Sequence, residues 1–190
     1  MNFKTLFSLI LTFSIVACSN QPTHIIVSPV INYAPQSVYQ GQTYQLNVSD
    51  FRTNNHVLQI NGSDEKAKLY SSQKNISEIV NDSLTAGFKK QGLSIDEFAN
   101  NTINVFIEQA KTSVNQEMVK YDAKNELVLR VEVSAGDQTL TKLFSSKGTS
   151  NGPLTADIAV LERDLNQQLG TLLAKIMQSP EIQQFIQSKP

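Results

Sequence analysis

Few residues in this chain could do chemistry, and the first of them is its single cysteine, Cys18. It stands directly after Ala17, at the end of an apolar run from Leu6 to Val16 that follows Lys4. A basic start, an apolar middle and a small residue before the cut make a secretory signal. A run of about a dozen residues is too short to span a bilayer, which takes roughly 20. Ile15-Val16-Ala17-Cys18 therefore reads as a lipobox, with Cys18 the expected site of lipidation. The chemistry would be a thioether to diacylglycerol plus an acyl chain on the new amino terminus. Two or more chains anchor stably where one holds only marginally. A thiol so used is no longer available for a disulfide, a metal or a nucleophile.

The remaining candidates are sparse. His24 lies beside the tether and His56 in an Asn-rich turn, and both are expected at the surface. A metal site built on two histidines needs carboxylate ligands whose spacing the sequence does not show. No Gly-x-Ser-x-Gly elbow is present for a serine nucleophile. Asp64-Glu65 and Asp96-Glu97 are adjacent carboxylates, read as charged turns, although a glycosidase pair could still converge from distant positions. No cofactor and no metal are expected. Asp50-Phe51-Arg52-Thr53 is the one cluster that invites a role. Asp50 and Arg52 sit two apart at a strand end, so both can project from one face, either as an ion pair locking the turn or as a contact for a polar partner.

Composition narrows the classes. The chain has 190 residues, with 16 Lys and Arg against 17 Asp and Glu. Removing the first 17 residues takes only Lys4 from that balance, which leaves a net charge of −2. Nucleic-acid binding wants clustered basic residues, and none are seen.

The elements that must position these residues follow from periodicity. Thr23 to Val27 reads as a short strand, and Val30 to Gln42 as a loop. Tyr44, Leu46 and Val48 alternate with polar residues as in a half-buried strand. Short strands are expected at Val57 to Ile60 and Ala67 to Tyr70. Ile76, Ile79, Val80, Leu84 and Phe88 mark one face of a helix, with Asn75 and Glu78 spaced for a capping box and Gly92 for its end. Three strands then form a meander, one carrying Ile103, Val105 and Ile107, the next running from Val119 to Ala135, and Gly136-Asp137 turning into the third. That turn predicts Val133 opposite Leu140, Leu129 opposite Phe144, and Lys142 opposite Val131, a misfit that an edge position would explain. A helix from about Leu154 to Met177 and a shorter one after Ser179-Pro180 close the chain.

Together these predict an α+β fold: a two-layer sandwich whose mostly antiparallel meander sheet carries amphipathic helices on one face. The expected organisation is a signal peptide over 1–17, a lipidated cysteine and tether over 18–22, and a single periplasmic domain over 23–190. On the sheet's outer face, Phe106, Val128 and Leu143 should point away from the helices, and a contiguous patch there would suggest a partner surface.

On the lipobox at Cys18, Ile26-Val27-Ser28-Pro29-Val30-Ile31, Asp50-Phe51-Arg52-Thr53, the Gly136-Asp137 hairpin and the closing Ile182-Gln183-Gln184-Phe185-Ile186, the chain resembles the YajG family of uncharacterised Gram-negative lipoproteins. The loop from Tyr33 to Thr43 is longer than that family's usual one. The resemblance implies an outer-membrane lipoprotein facing the periplasm and brings no catalytic residues with it. Ser19 after the cysteine agrees with export to an outer membrane. The expected role is a non-catalytic binding or scaffold module, held by membrane lipid through acylated Cys18, with an envelope protein or cell-wall partner and no nucleic acid. The alternatives are an envelope hydrolase acting on peptidoglycan or lipid, and a purely structural lipoprotein.

Overall fold

A computed structural model describes residues 24–32, 36–63 and 66–188. Cys18 with the segment before it, the tether, and Asp64-Glu65 lie outside the described residues. The elements in chain order are β1 (His24–Ile25), β2 (Thr43–Asp50), β3 (His56–Gly62), β4 (Lys68–Ser72), α1 (Ile76–Lys90), β5 (Ser94–Ile95), β6 (Thr102–Gln116), β7 (Lys120–Ala135), β8 (Gln138–Pro153), α2 (Ile158–Met177) and α3 (Pro180–Gln187). The fold is mixed α+β, with an eight-stranded curled sheet among the described residues.

The meander of β6, β7 and β8 is antiparallel, and its register is the one the Gly136-Asp137 turn dictates: Val133 faces Leu140, Leu129 faces Phe144 and Val131 faces Lys142. Gly136 takes the positive φ of 56° that such a turn requires. The rest of the sheet corrects the expectation of a mostly antiparallel meander. β2 and β3 both run parallel to β6, β1 runs parallel to β4, and β5 runs parallel to β2. Only β3 and β4 pair antiparallel in this half. Period-two alternation assigns residues to faces but does not name a strand's neighbour, so these non-local pairings were hidden.

β6 is the axis of the sheet. One edge pairs with β7 over almost its whole length. The other is divided: β2 covers Thr102 to Ile107 and β3 covers Thr112 to Gln116. β2 and β3 thus lie end to end along one partner, and Asp50 to Asn55 crosses the gap between them. A bulge in β6 at Glu108 sits level with that gap.

The buried face is built by alternation. On β6 and β7, Ile103, Val105, Ile107, Leu127, Leu129, Val131 and Val133 are all at most 1 % exposed, which makes this face the centre of the core. α1 packs on β2 and β5, α2 packs on β7, β8 and α1, and α3 packs on β7. Ile79, Val80, Leu84 and Phe88 of α1, and Leu161, Leu165, Leu169, Leu172 and Ile176 of α2, supply the facing stripes. The capping box at α1 does not form: Asn75 occupies the N-cap without a side-chain hydrogen bond. At the other end Gly92, with φ 90°, sits just beyond the C-cap Gln91, and a Cβ there would meet the Tyr39 carbonyl at 2.5 Å. α2 starts later than the apolar pattern suggests, at Ile158, because Leu154 still bonds back to Val119 and Asp157 is the residue whose carboxylate caps the helix at Ala159 N–H.

The extended segment after β1 is clasped by one stripe of α2. Glu162 accepts from Ile26 N–H at 2.8 Å, and the Asn166 amide both accepts from Ser28 N–H at 2.8 Å and donates to the Ile26 carbonyl at 2.9 Å. Four residues on, Gly170 lets the Val30 backbone come so close that a Cβ would lie 2.3 Å from its carbonyl oxygen. Glutamate, asparagine and glycine at four-residue spacing form one stripe up a helix.

Lys142 resolves its mismatch with Val131 because β8 is an edge strand that pairs with β7 alone. Its ammonium reaches Glu181 Oε2 at 2.6 Å and Ser179 Oγ at 3.1 Å, so the inward charge staples the edge strand to α3. The hydrogen bond from Lys142, followed by those from the Glu181 backbone and Ser179, pulls the Glu181 carboxyl down to about 2 from an ordinary 4.5. A depressed carboxylate stabilises the fold fully above its unfolded pKa, and that stabilisation is lost as pH falls through the folded value. The wild-type protein should therefore lose its stability advantage over Lys142→Met as pH drops from 4.5 to 2. Thermal melts of both proteins at pH 5 and pH 2 read this directly, and an unchanged gap would show that the staple is idle.

Candidate functional site on the outer sheet face

The five residues singled out from the sequence gather in one region of the sheet. Ser49, Phe106, Arg130 and Leu143 form a single cross-strand row over β2, β6, β7 and β8. Val128 follows on β7, opposite Gln109 and Ser145. Asp50 and Arg52 stand at the end of β2 beside the row. Phe106 and Val128 are half-buried, and Leu143 is 58 % exposed.

Phe51 is the residue the pattern reading left out. It is 60 % exposed, and its ring lies 5.0 Å from that of Phe106 at 45°, a tilted aromatic pair. The signal was present in the sequence: in an Asp-x-Arg triplet whose two charged residues turn to one side, the middle residue turns to the other. The guanidinium of Arg130 sits 4.2 Å above the Phe106 ring. Arg130 Nε donates to Glu108 at 2.8 Å, and its Nη1 donates to Glu132. The Glu108 hydrogen bond and the two carboxylate charges raise the Arg130 pKa, so the cation is fixed between ring and acids. A patch results, with two aromatic rings, an arginine paired to two glutamates and apolar flanks at Val128 and Leu143.

Behind the patch, Arg52 occupies the break between β2 and β3. Nε and Nη2 fork onto the two Asp50 oxygens at 2.8 and 2.7 Å, and Nη1 donates to the Ala110 carbonyl at 3.2 Å. The Phe51 N–H bonds to the Ile107 carbonyl at 2.9 Å. The Phe51 bond continues the β2 ladder by one step, the Arg52 bond serves the Ala110 carbonyl that neither strand reaches, and together they hold Phe51 outward. Burial pushes the Asp50 carboxyl up, but the hydrogen bonds and charge of Arg52 outweigh it and leave the pKa below the ordinary value. The Arg52 side chain is only 8 % exposed, so it is a poor contact for an external ligand while this pair is made.

His56 departs from its expected place at the surface. It begins β3 and is half-buried in a cleft of about 170 Å³ with Arg52, Glu108 and Lys111. Burial first, then the charges of Lys111 and Arg52, lower its pKa and favour the neutral ring. His24 is exposed. Asp96 accepts from Phe98 N–H at 2.9 Å, as a turn-forming carboxylate does.

The hydrolase alternative needs two carboxylates converging in a cavity. Glu108 and Glu132 do converge, but on the guanidinium they share at an open sheet face. The five principal clefts of the described surface each carry at most one carboxylate, Glu108, Asp82 or Asp164. The largest, about 610 Å³, lies along α2 beside the clasped segment and is lined by Arg163, Asn166 and Lys175 but no acid. Among the described residues no group of three or more His, Cys, Asp or Glu is placed to hold a metal ion, and no helix is long and apolar enough to cross a membrane.

A family model described as an uncharacterized lipoprotein, Lipoprotein_16, matches residues 29–187. No curated protein sequence matches the chain. Among solved structures, a Xanthomonas campestris protein of family DUF330 is similar with a TM-score of 0.60 at 13 % identity, covering 86 % of this chain and 98 % of that one. A Helicobacter pylori protein described as a neuraminyllactose-binding hemagglutinin homolog has a TM-score of 0.50 at 10 % identity, covering 84 % and 97 %. At such identities the likeness is one of fold.

Proposed function

This chain belongs to the Lipoprotein_16 family of uncharacterised lipoproteins, and from that premise we propose that it is a non-catalytic binding module of the cell envelope, held by acylated Cys18 in the outer membrane and facing the periplasm. The family match and the lipobox support the anchor and the compartment. The observation that carries the binding role is the patch on the wet face of the sheet. Phe51 and Phe106 pair there, Arg130 caps them, and Leu143 extends them toward the edge strand. Rigid aromatic side chains with an arginine are what protein interfaces concentrate at their centres. Arg130 already faces two carboxylates of its own chain, which favours a protein surface offering apolar side chains over an anionic small molecule as the partner. Asp50 and Arg52 act by positioning Phe51.

The reading is tested in cells that make the lipidated protein with a photo-crosslinking residue at Ser145, beside the patch. A discrete adduct should form, and Phe51→Ala together with Leu143→Asp should reduce it at least tenfold, the loss of about 1.4 kcal/mol or more of binding. Recovery of the bare monomer alone from the parent protein would sink the proposal. The hydrolase reading has no comparable observation in its favour.

A further inference from the structure

The patch leaves another group of exposed apolar residues unexplained, at the end of the sheet where β6 turns into β7. Met118 is 93 % exposed, Val119 is 70 % and Leu154 is 67 %. They are held, not loose. Leu154 N–H donates to the Val119 carbonyl at 2.8 Å. The Gln116 amide donates to the Leu154 carbonyl at 2.8 Å, and its oxygen accepts from Ala156 N–H at 2.8 Å. Leu154 has a φ of 61°, a backbone conformation that bulky residues seldom adopt. The chain thus fixes a leucine in an unfavourable conformation and leaves its side chain in water beside two further apolar ones.

The route of the chain says what this tip faces. β1 runs parallel to β4, with His24 beside Ser71, so the amino-terminal end of β1 faces the side where β4 begins at Lys68. That is the tip's end of the sheet: Lys68 lies beside Ile60, and Gly62 lies beside Gln116. From the level of His56, where His24 sits, to that of Gly62 is six residues of strand, about 20 Å. From His24 back to Cys18 is six residue steps, which reach at most about 21 Å. Six residue steps therefore span no more than the distance from His24 to the level of Gln116, and the turn at Met118 projects about 5 Å beyond that level.

We propose that the Met118-Val119 turn and Leu154 dip into the bilayer that holds the Cys18 lipid, so that the domain is oriented on the membrane as well as anchored to it. This rests on the anchor reading above. The depth fits the 5–10 Å to which interfacial apolar groups sink. Lys120 beside the tip lies 3.6 Å from Glu117 and 3.5 Å from Asp122, so its one positive charge is outnumbered by carboxylates and apolar burial must supply the attraction. The contact should therefore persist in raised salt and without anionic lipid.

The test uses the lipidated protein, in which an introduced cysteine is the only free thiol, reconstituted on phosphatidylethanolamine and phosphatidylglycerol vesicles containing doxyl lipid. An environment-sensitive dye at Met118→Cys should be quenched roughly twofold or more relative to the same dye at Asp137→Cys, on the far hairpin. Equal quenching at both positions, in a protein that still floats with the vesicles, would overturn the inference and leave the anchor standing. Protein that fails to float would overturn both. A blue-shifted dye at Met118→Cys that doxyl lipid cannot quench would assign the tip to contact with a second copy of the chain and also overturn the inference.

Discussion

Arg52→Leu should destabilise the protein by about 2–4 kcal/mol, measured as a shift in urea midpoint at unchanged slope. The substitution strands the Asp50 carboxylate, which is 27 % exposed, and the Ala110 carbonyl, and it removes the group that bridges the break between β2 and β3. Arg52→Lys should fall between, because an ammonium keeps the charge but cannot fork onto two oxygens and still reach a carbonyl. Removing both partners in Asp50→Ala with Arg52→Leu should recover part of the loss, since no unpaired carboxylate then remains. If Arg52→Leu melted like wild type, Arg52 would be ornamental at this break, and the positioning of Phe51 would need another cause.

The second large effect is expected at Gly170. Gly170→Leu places a Cβ 2.3 Å from the Val30 carbonyl oxygen, which is backbone and cannot rotate aside. The helix is pinned in the core by Leu169 and Leu172, each at most 1 % exposed, so the segment must move instead. Its displacement breaks the Glu162 and Asn166 hydrogen bonds to Ile26 and Ser28 together, for a total of about 2–4 kcal/mol. Asn166→Ala removes two of the bonds without a collision and should cost about 1–2 kcal/mol. Limited proteolysis separates the two cases: Gly170→Leu should expose the segment around Val30 to cutting in the otherwise folded protein. A Gly170→Leu protein with wild-type stability and an intact segment would refute the clasp.

Both sites show where reading the sequence succeeded and where it stopped. The β7 and β8 register was legible down to the pair Val131 and Lys142, because a two-residue turn fixes register locally. α1 and α2 were legible from their apolar stripes, although Asn75, with every appearance of a capping residue, makes no side-chain cap. The parallel neighbours of β2 and β3 were not legible, because nothing in an alternating strand specifies a partner fifty residues away. Gly170 was silent for the same reason: its need for smallness comes from Val30, distant in the chain. At the outer face, Phe106, Val128 and Leu143 were legible as a set and the outward turn of Phe51 was implicit in the Asp50 and Arg52 pair, but its contact with Phe106 was not legible, since it depends on the distant pairing of β2 with β6.

The division of one β6 edge between β2 and β3 also sets an order of assembly. β6, β7 and β8 are joined by tight turns and can pair as soon as they exist together, whereas β2 is separated from its β6 partners by the whole of β3, β4 and α1. Closing so long a loop is entropically unfavourable until a formed edge rewards it. β5, the other partner of β2, also comes later in the chain. Along a polypeptide that emerges amino terminus first, β2 therefore spends the longest time as a half-apolar strand with open backbone groups. That waiting strand is where a folding chaperone would find its grip, and where slowed synthesis would first produce tangled chains.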